Sequence, residues 1–204
     1  ANQNYKEAQF KLGKIYLTGK YFEKNIKKAI YYLTLSSKNN NIESNFILGC
    51  LYHEEIYVEC DIYKSIKFYK EASSFNNFFA KNNLGIIYKN GFKNIIKPNL
   101  GLAIEYFNEA YKNNDNNIKR LISLYNLAHL YLYNDSIDNN NNKSIMLLIQ
   151  LYKMEFPSAI FLLCIALIKE YGFDNKAIMD GFRKHGGIYK KIEFEINQII
   201  KFQS

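Results

Sequence analysis

One block of five residues returns at a fixed interval along the chain. Leu12-Gly13-Lys14-Ile15-Tyr16 recurs as Leu48-Gly49-Cys50-Leu51-Tyr52 and as Leu84-Gly85-Ile86-Ile87-Tyr88, each 36 residues after the last. A degraded copy, Leu127-Ala128-His129-Leu130-Tyr131, follows 43 residues on, and Leu163-Cys164-Ile165-Ala166-Leu167 comes 36 residues later again. A period of this length restricts the chain to a stack of equivalent supersecondary units. One such unit cannot bury its apolar face alone, so each must lie on its neighbours.

The spacing inside each unit says what the unit is. Four residues before each leucine stands a small residue: Ala8, Ser44, Ala80, Ser123 and Ala159. Positions i, i+4, i+5 and i+8 share one face of an α-helix, so small residue, Leu, Gly and Tyr form one stripe. Glycine inside a helix costs about 1 kcal/mol relative to alanine. Its return at Gly13, Gly49 and Gly85 therefore predicts a neighbouring helix in close approach. A second helix follows, with small residues seven apart bracketing an aromatic pair: Ala29 and Ser36, Ser65 and Ala72, Ala103 and Ala110. Asn25, Asp61, Asn99 and Asn140 stand four residues before the first small residue, where their side chains can accept from free N–H groups as N-caps. Gly19 and Gly91 suit the end of the first helix in their units.

The pattern Ala-x3-Leu-Gly-x2-Tyr-x2-Gly, a capping Asn or Asp, then Lys-Ala-x2-Tyr-Tyr-x2-Ala resembles Sel1-like repeats, the 36-residue relatives of tetratricopeptide repeats. The resemblance covers residues 5–110 closely and 118–185 more loosely. It implies an all-α, right-handed α-α superhelix, a solenoid of about five helix–turn–helix repeats forming a single domain over 1–204. The repeats are expected at 5–40, 41–76, 77–113, 118–154 and 156–185. An amphipathic capping helix over 187–202 follows the Gly186-Gly187 break, with its apolar stripe at Ile188, Ile192, Ile196, Ile199 and Ile200. The chain departs from the family pattern at Ser36, where Ala is usual, and in the second unit, which lacks the glycine after its first helix. The Asn-rich segments Asn113–Asn117 and Asn134–Asn142 are expected to be exposed loops.

Composition removes other classes. Apolar residues make up 48% of the chain and only 2 prolines and 10 glycines punctuate it, which suits a helical core and not many tight β-turns. The apolar run Ala159–Ile168 falls well short of the roughly 18 residues of a membrane span and reads as a buried helix. The net charge of +8 raises the possibility of a polyanionic partner. However, only Arg120 and Arg183 among the 27 basic residues are arginine, the side chain suited to bidentate phosphate contacts. The charge also alternates in blocks: residues 1–40 hold eight lysines and two acids, residues 41–75 six acids and three lysines. Cys50, Cys60 and Cys164 are odd in number and widely spaced, which fits a reducing compartment and no disulfide framework. The chain starts at Ala1 and not at Met, so a larger chain or complex is left open and the compartment undetermined.

No catalytic or cofactor constellation assembles. His53-Glu54-Glu55 opens like a zinc-protease helix, but position 57 is Tyr57 and not histidine. Cys50, His53 and Cys60 offer three metal ligands without a fourth, and no phosphate-binding glycine loop is present. The expectation is a non-enzyme with no cofactor and no metal. By resemblance to tetratricopeptide repeats, the concave groove is lined by first-helix residues around the Leu-Gly pair. Two before the leucine these are Phe10, Phe46, Asn82 and Tyr125. Just after the glycine they are Lys14, Cys50, Ile86 and His129, and one turn on they include His53 and Lys89. An aromatic, partly basic groove suits a protein or peptide partner with apolar anchors, which makes the chain an adaptor or scaffold. The same aromatics would serve equally to pack one unit on the next. The alternative reading is a basic scaffold for nucleic acid or an anionic membrane surface.

Overall fold

The computed structural model describes residues 2–112, 117–134 and 140–171. Nine helices occur among them: α1 (Asn2–Thr18), α2 (Ile26–Lys38), α3 (Ile42–His53), α4 (Ile62–Ser74), α5 (Phe78–Asn90), α6 (Leu100–Lys112), α7 (Asn117–Leu132), α8 (Asn140–Lys153) and α9 (Ser158–Tyr171). No β-strand is found among the described residues; Phe92 and Ile96 make an isolated bridge in the loop after α5. The chain divides into two compact units, residues 1–115 and 116–204. In the first, α1 pairs with α2, α3 with α4 and α5 with α6, while α2 lies on α3 and α4 on α5. In the second, α7 pairs with α8, and α9 packs on α8 and touches α7. The expected capping helix over 187–202 and the second half of the fifth repeat lie outside the described residues.

The recurring glycine has the predicted cause. A methyl group built on Gly13, Gly49 or Gly85 would meet Leu33, Tyr69 or Phe107 at 2.7, 2.5 and 2.5 Å. Each of these side chains comes from the second helix of the same unit and is fully or almost fully buried. The glycine thus leaves the socket that a large residue of the partner helix fills. Beside it, the tyrosine of the motif stacks on an aromatic ring of the second helix. The pairs are Tyr16–Tyr32, Tyr52–Phe68 and Tyr88–Tyr106, with centroids 5.7, 5.9 and 5.8 Å apart and planes within 8°. Parallel rings at this separation add of order 0.5–1.5 kcal/mol to their burial.

The small residues of the second helix do more than allow approach. The Ser65 hydroxyl donates to the Gly49 carbonyl and the Ser144 hydroxyl to the Ala128 carbonyl, both at 2.8 Å. The Ser36 hydroxyl donates to the Lys6 carbonyl at 2.7 Å. Serine at Ser36, the departure from the family pattern, is thus satisfied by the backbone of its partner helix.

Capping follows the sequence. The side chains of Asn25, Asp61 and Asn99 accept from Lys28, Lys64 and Leu102 N–H, each at 3.0 Å. Their own N–H groups donate to the carbonyls of Tyr16, Tyr52 and Tyr88 at 2.9, 2.9 and 2.7 Å, which closes each loop back onto the motif tyrosine. Gly19 and Gly91 have positive φ, 71° and 69°, which side-chain-bearing residues rarely adopt.

The turns between units carry a second device. Asn40, Asn76 and Glu155 all have φ near +60°. In each turn two N–H groups return to one carbonyl, that of Ser36, Ala72 or Leu151. Asn41 and Asn77 then cap α3 and α5 by accepting from Ser44 and Ala80 N–H. Asparagine tolerates the left-handed region and caps helices well, so these paired asparagines build the turn. Part of the second Asn-rich segment is likewise ordered, contrary to the expectation of a loop. Asn140–Asn142 begin α8, and buried Asn141 donates to the Ala166 carbonyl and to Glu170 Oε2 at 3.2 and 2.6 Å. An amide NH2 group that donates twice to the neighbouring helix outweighs the loop preference of the residue type.

Candidate partner-binding surface

The first helices of each unit position the expected surface residues. In the first compact unit Phe10 and Lys14 stand on α1, Phe46, Cys50 and His53 on α3, and Asn82, Ile86 and Lys89 on α5. Tyr125 and His129 stand on α7 in the second. Lys14 is exposed and the other nine are half-buried, whereas the motif leucines Leu48, Leu84 and Leu127 at adjacent positions are buried. The candidate residues therefore keep access to solvent while these three leucines are consumed by the core.

Aromatic contacts tie neighbouring first helices together. Phe46 lies 5.8 Å from Phe79 and 6.1 Å from Tyr69, centroid to centroid. His53 lies 6.2 Å from Tyr69 and 5.7 Å from Phe92, so it bridges one unit to the next. Phe46 and His53 thus pack between units as well as facing outward. Phe79, 48% exposed beside Phe46, belongs to the same aromatic row and was missed from the sequence. The signal for it was the Phe78-Phe79 pair directly after the capping Asn77. Tyr125 meets Phe156 at 5.8 Å and His129 meets Tyr133 at 4.6 Å, so their rings have local partners of their own.

Charge on this surface is basic and partly desolvated. Lys14 reaches over the Phe10 ring at 5.5 Å. Burial holds the Lys89 ammonium below its usual range. Burial also pulls the His53 imidazole down, against the opposing pull of Glu54. For His53 the consequence is a stability slope. A histidine whose folded pKa lies below its ordinary 6.5 favours the fold fully above that value. Acidification below it protonates the unfolded chain first and costs stability. The pH dependence of the melting temperature below 6.5 is expected to be shallower in His53→Gln than in the parent. An unchanged slope would remove His53 as its source.

The candidate metal ligands do not converge. No group of three or more His, Cys, Asp or Glu able to hold a metal occurs among the described residues. The Cys60 thiol donates to the His53 carbonyl, not its ring, at 3.5 Å. No disulfide joins any two of Cys50, Cys60 and Cys164, all three of them described residues. Burial raises the Cys50 thiol, against a hydrogen bond from the Tyr69 hydroxyl at 3.4 Å. Desolvation and Glu55 raise Cys60. Neither is set up as a reactive thiolate. No described helix is long and apolar enough to cross a membrane.

The family model described as Sel1 repeat matches residues 6–41, 42–74, 79–115 and 121–155. The chain belongs to the Sel1 repeat family. Its Sel1 repeats coincide with the four helix pairs α1–α2, α3–α4, α5–α6 and α7–α8. Among solved structures, a Sel1 repeat protein from Oxalobacter formigenes is similar at a TM-score of 0.69 and 17% identity, over 90% of this chain and 71% of that one. The c5321 protein, a protective antigen of uropathogenic Escherichia coli strains displaying an SLR fold, is similar at 0.66 and 18% identity. That match covers 88% of this chain and 38% of c5321. These likenesses show the helical-repeat fold expected from the sequence. A search of curated proteins gives no significant match. Sel1 repeat proteins generally mediate protein–protein interaction, and their fold is typically a non-catalytic scaffold.

Proposed function

We propose that this Sel1 repeat chain is a non-catalytic adaptor that holds a protein or peptide on the surface formed by its first helices. We further propose that its repeats act together as one scaffold. The observation that carries the reading is the row of half-buried and exposed aromatic and basic side chains on α1, α3 and α5. It lies around the Leu-Gly pair of each motif, of which Gly13, Leu48, Gly49, Leu84 and Gly85 are buried. Phe10, Phe46 and Phe79 supply apolar anchors, while Lys14 and Lys89 favour an acidic or carboxylate-bearing segment. Rigid aromatic rings next to partly desolvated cations are the usual composition of a peptide-binding hot spot.

Affinity capture of partners on the immobilised chain, compared with Phe46→Ala and Lys89→Ala, tests this. A captured partner is expected to lose at least 10-fold in affinity with either change, the loss typical of a hot-spot truncation of about 1.4 kcal/mol or more. Raising salt should weaken the interaction only mildly. A fall steep and linear in log salt, insensitive to both substitutions, would overturn the reading in favour of a polyanion-binding surface.

A further inference from the structure

The charge that alternates in blocks along the chain is sorted by the fold. Residues 41–75 hold six acids, but only Glu71 of these stands on α4, where it is half-buried. Glu43 is on α3, and Glu54, Glu55, Glu59 and Asp61 belong to the segment between α3 and α4. The lysines of the same stretch, Lys64, Lys67 and Lys70, all stand on α4 and all are exposed. Tyr63 is exposed beside them, and Ser74 is the one other exposed residue of that helix. On α2 the exposed residues are Lys27, Lys28, Tyr31 and Lys38. At helical spacing these positions lie opposite the buried Ala29, Leu33 and Ser36 of α2 and the buried Ser65, Tyr69 and Ala72 of α4. Positions 36 residues apart pair Lys27 with Tyr63, Lys28 with Lys64 and Tyr31 with Lys67, so the two helices turn equivalent faces outward while lysine and tyrosine trade places. In α6 the equivalent of Tyr31 is exposed Glu105, which ends the face.

We propose that the outer face of α2 and α4 seats on an anionic membrane surface, with its lysines over the lipid headgroups and its two tyrosine rings at headgroup level. Charge complementarity sets the sign of the occupant. Lys64 is paired with Asp61 at 2.9 Å and Lys28 lies over the Tyr16 ring at 5.1 Å, but Lys27, Lys67 and Lys70 have no ion-pair partner among the described residues. All the positive charge of the face is lysine. Without arginine forks it has no bidentate grip on single phosphates or base edges. A cluster of compact cations on long, flexible stems is instead what draws a protein to anionic lipid, each lysine adding its share. Tyr31 and Tyr63 are 59 and 65% exposed. Tyrosine, with an apolar body and a polar tip, is a ring enriched at membrane interfaces. The contact is peripheral, and it uses the side of each helix pair away from the first-helix surface proposed for a protein partner.

Co-sedimentation of the full chain with vesicles of phosphatidylcholine and roughly 30% phosphatidylserine, against phosphatidylcholine alone, tests this. Binding is expected to the anionic vesicles only, and to weaken as salt rises. The triple variant Lys27→Gln, Lys67→Gln, Lys70→Gln should lower the partition coefficient about 10-fold or more. Its melting temperature should stay that of the parent, because all three side chains are exposed. A second triple, Lys11→Gln, Lys20→Gln, Lys97→Gln, removes the same charge from exposed positions outside α2 and α4 and should lower the coefficient by less than about threefold. Tyr31→Ser with Tyr63→Ser should lower it about threefold or more. Phe46→Ala and Lys89→Ala should leave vesicle binding unchanged, which separates this outcome from that of the first-helix surface. Equal losses in the two lysine triples would reduce the effect to net charge and overturn the proposal, as would failure to bind the anionic vesicles or a tyrosine variant that binds like the parent. Tighter binding to a fluorescent single-stranded oligonucleotide at the same salt, lost in the first triple, would also overturn it and assign the face to nucleic acid.

Discussion

Truncation of Phe107 to alanine is expected to cost the first compact unit about 3–5 kcal/mol of stability, the range for emptying a buried aromatic site. Phe107 is 0% exposed and its ring lies over Gly85, so the substitution opens a void beside the glycine backbone. Helix propensity does not compensate, because it changes by only a few tenths of a kcal/mol for this exchange. Denaturant unfolding followed by circular dichroism measures the loss. Phe107→Leu should cost far less, because leucine already occupies the equivalent place as Leu33 in the first repeat and Leu148 in the fourth. A loss below about 1 kcal/mol for alanine would mean that the ring does not fill the socket as described.

Gly49→Ala should destabilise, although alanine is the better helix former. The propensity gain is about 1 kcal/mol. Against it, the new methyl carbon would stand 2.5 and 2.6 Å from Cδ1 and Cε1 of Tyr69. That ring cannot step back: it is 1% exposed, its hydroxyl is bonded to Cys50, and Phe46 lies against it. Overpacking of a held core typically costs 1–3 kcal/mol, so the net effect is a loss. Gly101→Ala is the matched comparison. It also sits in a helix, but an added methyl there would meet only Asn99 Oδ1 at 3.5 Å. The same exchange should therefore raise stability there by up to about 1 kcal/mol. Opposite signs in thermal melts of the two variants are the expected result. A gain at both positions would show that propensity alone governs these glycines.

These two sites mark what could be read from the residues and what could not. That Gly13, Gly49 and Gly85 needed a close neighbour follows from the cost of glycine inside a helix. Which side chain fills each socket does not, since Leu33, Tyr69 and Phe107 differ in size and only the folded pairing aligns them. The N-caps at Asn25, Asp61 and Asn99 were legible because capping is a local interaction. Asn141 was not, because its partners Ala166 and Glu170 lie 25 and 29 residues away. Lys81 is a similar case. Its side chain is 3% exposed, yet it reaches Asn76 at 3.0 Å and Glu109 at 3.3 Å, so a residue type that normally marks the surface sits inside a helix pair. On the candidate surface, spacing placed all ten residues on first helices, and all keep solvent access. The double use of Phe46 and His53 as unit-to-unit contacts depended on Phe79, Tyr69 and Phe92 and was beyond the reach of periodicity.

The loop closure at each motif tyrosine has a mechanical consequence. Because Asn25, Asp61 and Asn99 each return a hydrogen bond to the preceding helix, tension along the backbone meets a short local clamp in each of the first three repeats. Helix pairs bound mainly to their sequence neighbours are expected to yield to a pulling force one after another and not all at once. Each yielding pair would release roughly 120 Å of extended chain, at about 3.3–3.6 Å for each of its residues. The molecule would thus lengthen in steps, as a ratcheted tether rather than a brittle rod.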